Sequence, residues 1–76
     1  MTEHIAVFRS RAQAIDCNNK LRSLGVASSI INTPREANIG CGLSVRIPLD
    51  SLERAKRIIA SARYSAFYGY FKVKTY

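Results

Sequence analysis

Residues 4–25 read HIAVFRSRAQAIDCNNKLRSLG, a strand pattern followed directly by a helix pattern. Apolar side chains occupy both faces of residues 5–8, which is typical of a mostly buried strand extending over residues 4–10. Ser10 and Gln13 have the spacing of a capping box, which predicts a helix start with the glutamine side chain reaching back to the backbone. Gly25 predicts the helix end, since glycine readily takes the left-handed conformation after the last turn.

Both predicted helices carry one apolar stripe. In the first helix the stripe has spacings of three, four and three residues and consists of Ala14, Cys17, Leu21 and Leu24. Cys17 is therefore predicted to lie in the core, where free cysteines are common. A second capping signature, with Asp50 at the N-cap and Glu53 in the first turn, predicts a helix with the same apolar spacing.

Three further segments have strand patterns. Residues 26–32 are polar enough for an edge strand, and residues 43–47 alternate strictly between apolar and polar. Residues 67–76 are rich in aromatic side chains. Strict alternation there predicts one face with Phe67, Gly69, Phe71 and Val73, and an opposite face with Tyr68, Tyr70, Lys72 and Lys74.

The order of elements is strand, helix, strand, strand, helix, strand. Two helices with single apolar stripes must cover the same face of one sheet, which gives a two-layer α+β sandwich. Right-handed crossovers then favour a ferredoxin-like βαββαβ arrangement, with a four-stranded antiparallel sheet and the first and third strands at its centre. We expect residues 1–76 to form a single domain of this kind.

The chain has a formal net charge of +7 and a sequence pI near 10.0. A positive surface attracts anions in general, but it is equally typical of a surface that simply keeps a protein soluble. The start of the chain lacks a signal-peptide pattern, and no apolar run is long enough for a bilayer. We therefore expect a cytoplasmic protein with both thiols reduced and no membrane association.

Residues 33–42, TPREANIGCG, are the longest segment without helix or strand periodicity. Cys41 stands between Gly40 and Gly42. Glycines leave the sulfur unshielded and let backbone amides turn toward an anion, both of which suit a nucleophilic thiolate. The same pattern fits a tight glycine turn in which the cysteine fills a small hole, and the residues alone leave the two interpretations open.

Pro34 shapes this segment by ending the preceding strand, and Arg35 and Arg46 are the cations nearest to Cys41 in the sequence. The chain has no Cys-X-X-Cys motif, phosphate loop or dinucleotide fingerprint, and its acidic residues read as helix positions or caps. With His4 as the single histidine, no metal site is expected. A carrier or binding protein without a cofactor is therefore favoured over a stand-alone enzyme.

The chain resembles the selenium/sulfur carrier-like family of small bacterial domains. The resemblance rests on residues 5–8, on Leu24-Gly25-Val26, on residues 30–35 and on residues 40–43, and it covers nearly the whole chain. It implies that Cys41 carries sulfur or selenium as a persulfide or selenosulfide. Arg35 and the amides around Gly40 and Gly42 would then hold the anionic terminal atom, and a donor such as a cysteine desulfurase would be the partner.

The alternative is a binding module that uses one face of the sheet. Its residues would be Phe8 on the first strand with Tyr68, Tyr70, Lys72 and Lys74 on the last. Exposed aromatics of this kind suit a homodimer or a protein partner. RNA recognition is less favoured, because the third strand has no aromatic residue to stack on a base.

Overall fold

The computed structural model describes residues 2–33 and 42–74. Along the chain, the elements are β1 (Thr2–Phe8), α1 (Arg11–Ser23), β2 (Ser29–Asn32), β3 (Leu43–Ile47), a 3-10 turn (Leu49–Ser51), α2 (Leu52–Ala62) and β4 (Phe67–Lys74). The four strands form one antiparallel sheet in the order β2-β3-β1-β4. The predicted ferredoxin-like α+β fold is confirmed, with β1 and β3 at the centre and β2 at an edge.

The main core lies between one face of the sheet and both helices. It joins the predicted stripe residues of α1 to the inward residues of the central strands: Ala14, Cys17, Leu21, Ala55 and Ile59 from the helices, and Ala6, Phe8, Leu43, Val45 and Ile47 from the sheet. Two-residue alternation in the strands and the three-four spacing in the helices place all of these side chains in one layer. Leu24 is the exception in the first stripe, since it caps α1 and is 43% exposed.

The opposite face of the sheet has a small apolar cluster of its own. Ile5 and Val7 are buried there, with Ile31, Phe71 and Val73 packed against them. Ser44 is fully buried and its hydroxyl is hydrogen-bonded to that of Thr33. The predicted buried strand is therefore apolar on both faces. The helices cover one face, and side chains of the neighbouring strands pack around Ile5 and Val7 on the other.

The start of α1 differs from the capping box in one respect. Ser10 Oγ accepts a hydrogen bond from the Gln13 amide, as predicted. The Gln13 side chain does not reach back to the backbone. It accepts from the Ala66 amide and donates to Ser65 Oγ, both at 2.8 Å, and so connects α1 to the segment before β4. Gly25 has φ +89°, the left-handed conformation expected after α1.

Asp50 is not the N-cap of α2, contrary to the prediction. A 3-10 turn follows Pro48, so Asp50 lies within that turn and Ser51 takes the N-cap position without a side-chain hydrogen bond. Proline fixes an extended backbone at residue 48, and the tighter turn then brings the chain back over the sheet. Neither helix in residues 2–33 and 42–74 has the length and apolar character to cross a membrane.

The alternation predicted for the last strand is wrong at its start. The register of β1 and β4 shifts between Val7, which pairs with Gly69, and Phe8, which pairs with Phe67. An irregularity of this kind inserts an extra residue into one strand. Side chains before it then lie on the opposite face from the one that strict alternation predicts. Phe67 therefore packs beside Phe8 on the helix side of the sheet, whereas strict alternation would have placed it with Phe71.

Candidate functional site

The segment that contains Cys41 connects β2 to β3, and the structure defines both of its ends. Asn32 pairs with Leu43 as the last residues of the two strands. Beyond them the Thr33 amide donates to the Gly42 carbonyl at 3.2 Å, and Thr33 Oγ1 lies 2.9 Å from Ser44 Oγ. These bonds close the connection at its base, so Gly42 is held at one end of the sheet.

Most of the predicted site lies outside the described residues. The predicted site residues outside the described ranges are Pro34, Arg35, Gly40 and Cys41. Gly42 is described and half-buried, and Cys41 is the residue covalently before it. The attachment point of the cysteine is therefore known, at the end of a central strand whose register is fixed on both sides.

Cys17 has the opposite environment, and the prediction that it belongs to the core is confirmed. It is 1% exposed and lies on the buried face of α1. Burial, with a smaller effect from the negative charge of Asp16, raises the pKa of the Cys17 thiol to about 11, although Lys20 opposes this rise. At neutral pH this sulfur is a protonated, inaccessible thiol, which makes it a poor nucleophile.

The structure does not bring Arg46 to the Cys41 end of the sheet. Arg46 is four residues beyond Gly42 along an extended strand, a separation of about 13 Å between their backbones. Its guanidinium donates to Glu3 Oε1 at 3.1 Å, in an exposed ion pair on the face of the sheet opposite the helices. The pairing of Arg46 with a Cys41 thiolate stays a prediction, since Cys41 lies outside the described residues.

Arg9 lies at the same end of the sheet as Gly42, a placement that sequence reasoning missed. Phe8 pairs with Leu43, and Arg9 and Gly42 are the next residues outward on their antiparallel strands. Arg9 is exposed, and its guanidinium carbon is 4.7 Å from the centre of the Tyr68 ring. Only the strand register brings Arg9 and Gly42 together, and the register is not visible in a single sequence.

The residues of the alternative binding face are separated in the structure. Phe8 is fully buried against Tyr64 and Phe67, so the idea that its ring could stack on a base is wrong. Tyr68 stacks on Phe71 on the face of the sheet opposite the helices, with 5.9 Å between ring centres. Tyr70 and Lys72 instead contribute to a cavity beside α2. The Lys74 side chain lies outside the described residues.

The described part of the chain contains no group of His, Cys, Asp or Glu side chains suited to a metal ion. Among the described residues, the Gly42 end of the sheet offers backbone amides and, just beyond β1, Arg9, whose guanidinium lies over Tyr68 of β4.

A comparison with curated proteins finds no match. The model of one protein family, described as "Putative Se/S carrier protein-like", matches residues 3–68. The match extends from β1 to the start of β4 and includes Cys41 and the residues that hold its segment at both ends. The chain therefore belongs to the selenium/sulfur carrier-like family.

Proposed function

We propose that this protein carries sulfur or selenium on Cys41, as a persulfide or a selenosulfide. The observation that carries the proposal is the burial of Cys17. The sequence has two cysteines, and Cys17 is enclosed in the core with a raised pKa. Chemistry of the kind that the family name suggests needs an accessible thiolate, and Cys41 is the residue that remains for it.

The proposed loading step is a thiolate exchange. The Cys41 thiolate attacks the terminal sulfur of a donor persulfide, R–S–SH, and forms a new sulfur–sulfur bond. The bond within the donor breaks, its electron pair leaves on the donor thiolate, and Cys41–S–SH remains. With a donor R–S–SeH the product is Cys41–S–SeH. Unloading is the same exchange with an acceptor nucleophile, which releases the Cys41 thiolate, so no external oxidant or reductant is needed.

The terminal atom of a persulfide is an anion when it is deprotonated, and we propose that cations and amides at this end of the sheet stabilise it. Arg35 and the amides of residues 40–42 are the groups that the sequence offers. Arg9 is a further cation at the Gly42 end. Arg46 is left out of this set because it is paired with Glu3 at the other end of the strand.

A cysteine desulfurase is the donor that fits this chemistry, because such an enzyme presents sulfur as a persulfide. The test is to incubate the protein with a desulfurase and free cysteine and then to measure its intact mass. We expect the mass to rise by one sulfur atom and to return to its original value with dithiothreitol. Cys41→Ala should abolish the adduct, whereas the matched control Cys17→Ala should retain it. An unchanged mass, or an adduct that survives in Cys41→Ala, would overturn the proposal.

The role of Arg9 has a separate test with its own matched control. A nearby positive charge favours a thiolate, so alkylation of Cys41 by iodoacetamide should require a higher pH in Arg9→Gln than in the wild type. Arg46→Gln removes the same charge from the far end of β3 and should leave the pH profile unchanged. Equal shifts in the two variants would indicate a general effect of net charge and would remove Arg9 from the site.

A further inference from the structure

A cavity of about 380 Å³ lies between the first turns of α2 and the end of β4. Its lining consists of His4, Leu52, Lys56, Tyr70, Phe71 and Lys72. On the sheet, His4 pairs with Ile47 on one side and with Lys72 on the other. The cavity is therefore at the opposite end of the sheet from Gly42, which adjoins the pairing of Phe8 with Leu43.

The charge of this cavity is positive and is not neutralised by its own lining. Two lysines contribute this charge, and no carboxylate is among the described residues that line the cavity. Neither Lys56 nor Lys72 forms an ion pair within residues 2–33 and 42–74. The Lys56 ammonium lies 5.4 Å from the centre of the Tyr70 ring, which keeps this amine at the wall of the cavity.

The remaining walls are apolar or aromatic. Leu52 is half-buried and is the first residue of α2, so the positive end of the helix dipole lies at this wall. The Tyr70 ring adds an aromatic wall, whereas Phe71 borders the cavity from a strand position whose ring packs on the opposite face of the sheet. Apolar walls with a few convergent charged groups are typical of small-molecule sites, and the volume falls within the range of such sites.

A second cavity of about 420 Å³ shares His4 and provides a comparison. Glu3 and Arg46 both line it, and they are paired with each other at 3.1 Å. Among the described residues of that lining, the guanidinium of Arg46 is thus already paired with the carboxylate of Glu3. The cavity beside α2 differs because its ammonium groups are available to an external anion.

We propose that the cavity beside α2 is a binding site for a small molecule that carries a phosphate monoester on an aromatic or apolar body. A phosphate monoester is close to a dianion at neutral pH and so matches two ammonium groups better than a single carboxylate does. The apolar body would lie against Leu52 and the Tyr70 ring. This inference is independent of Cys41, because the two sites lie at opposite ends of the sheet.

The experiment is a titration of the full chain with phenyl phosphate, followed by nuclear magnetic resonance of the backbone amides. We expect saturable shifts that cluster at the first turn of α2 and at residues 70–72. Benzoate and phenol, which have the ring without the phosphate, should bind at least about tenfold more weakly, as expected for the loss of charge-assisted hydrogen bonds. Equal binding of benzoate or phenol would overturn the assignment to phosphate.

Three variants test the location. Lys56→Gln and Lys72→Gln should each weaken binding by about tenfold, and Lys20→Gln on α1 removes the same charge from a residue outside the lining and should not. Lys72 is exposed on an edge strand, so its variant is informative even if the loss of Lys56 disturbs α2. Shifts spread evenly over the basic residues, or equal weakening by Lys20→Gln, would overturn the proposal.

Discussion

The environment of Cys17 predicts that part of the folding stability is lost in alkaline solution. Burial and the nearby Asp16 raise the pKa of this thiol from 9.0 to about 11 in the folded protein. Between these values an unfolded chain loses the Cys17 proton and a folded chain keeps it. The contribution of the protonated Cys17 thiol to the free energy of unfolding is therefore fully present below pH 9 and decreases as the pH rises toward 11.

The size of this effect follows from the difference in pKa. A difference of about two corresponds to about 3 kcal/mol in the free energy of unfolding when it is fully developed, and to about half of that at pH 10. Tyr64 and Tyr70 also have raised pKa values, chiefly because of burial, so the wild type should lose more in total than Cys17 alone explains. A comparison with Cys17→Ala removes the thiol together with its smaller effect on the pKa values of Tyr64 and Tyr70, and it keeps the burial of both tyrosines.

The assay is urea unfolding of the wild type and of Cys17→Ala at several pH values, monitored by far-ultraviolet circular dichroism. At pH 8 the variant should be less stable, because alanine leaves space where the sulfur was. The difference between the two proteins should narrow by about 1 kcal/mol at pH 10. A difference that stays constant from pH 8 to pH 10 would show that the Cys17 thiol titrates alike in the folded and unfolded chains, and the reasoning would be refuted.

Two further predictions concern hydrogen bonds and charge. Gln13→Ala removes the bonds that join α1 to the Ala66 amide, so the free energy of unfolding in urea should fall by about 1–2 kcal/mol, and an unchanged midpoint would show that these bonds contribute nothing. Glu3→Gln breaks the exposed pair with Arg46, so its cost should be about 0.5 kcal/mol or less and smaller still at high salt. A loss well above 1 kcal/mol would mean that this pair is shielded from solvent.

The general architecture could be predicted because local patterns and packing agree. The period-two pattern of residues 43–47 and the three-four spacing on α1 each indicate one buried face. Gly25 was recognisable because a helix end often needs a residue with positive φ. The burial of Cys17 could be predicted from its place on the apolar stripe of α1. In each case a few neighbouring residues carry enough information.

The predictions that failed for Phe67 and Gln13 depend on contacts between distant segments, and the one for Asp50 failed because of a local turn. The reversal of Phe67 comes from an irregular register between β1 and β4, and a single strand cannot reveal that. Gln13 has a partner 53 residues away, at Ala66, in place of the nearby backbone. Asp50 looked like a cap, but the turn after Pro48 delays α2 by one residue relative to that prediction. Arg9 and Gly42 become neighbours only through pairing of β1 with β3.

The position of Cys17 also bears on the proposed carrier chemistry. An accessible second thiolate could attack a persulfide on Cys41, form a disulfide between the two cysteines and release hydrosulfide, which would discharge the carrier without an acceptor. In the structure Cys17 is 1% exposed. With its pKa at about 11, the thiolate fraction at pH 7 is about one in ten thousand. Under the proposed function, the burial of Cys17 would therefore protect a persulfide on Cys41 from the chain's own second thiol.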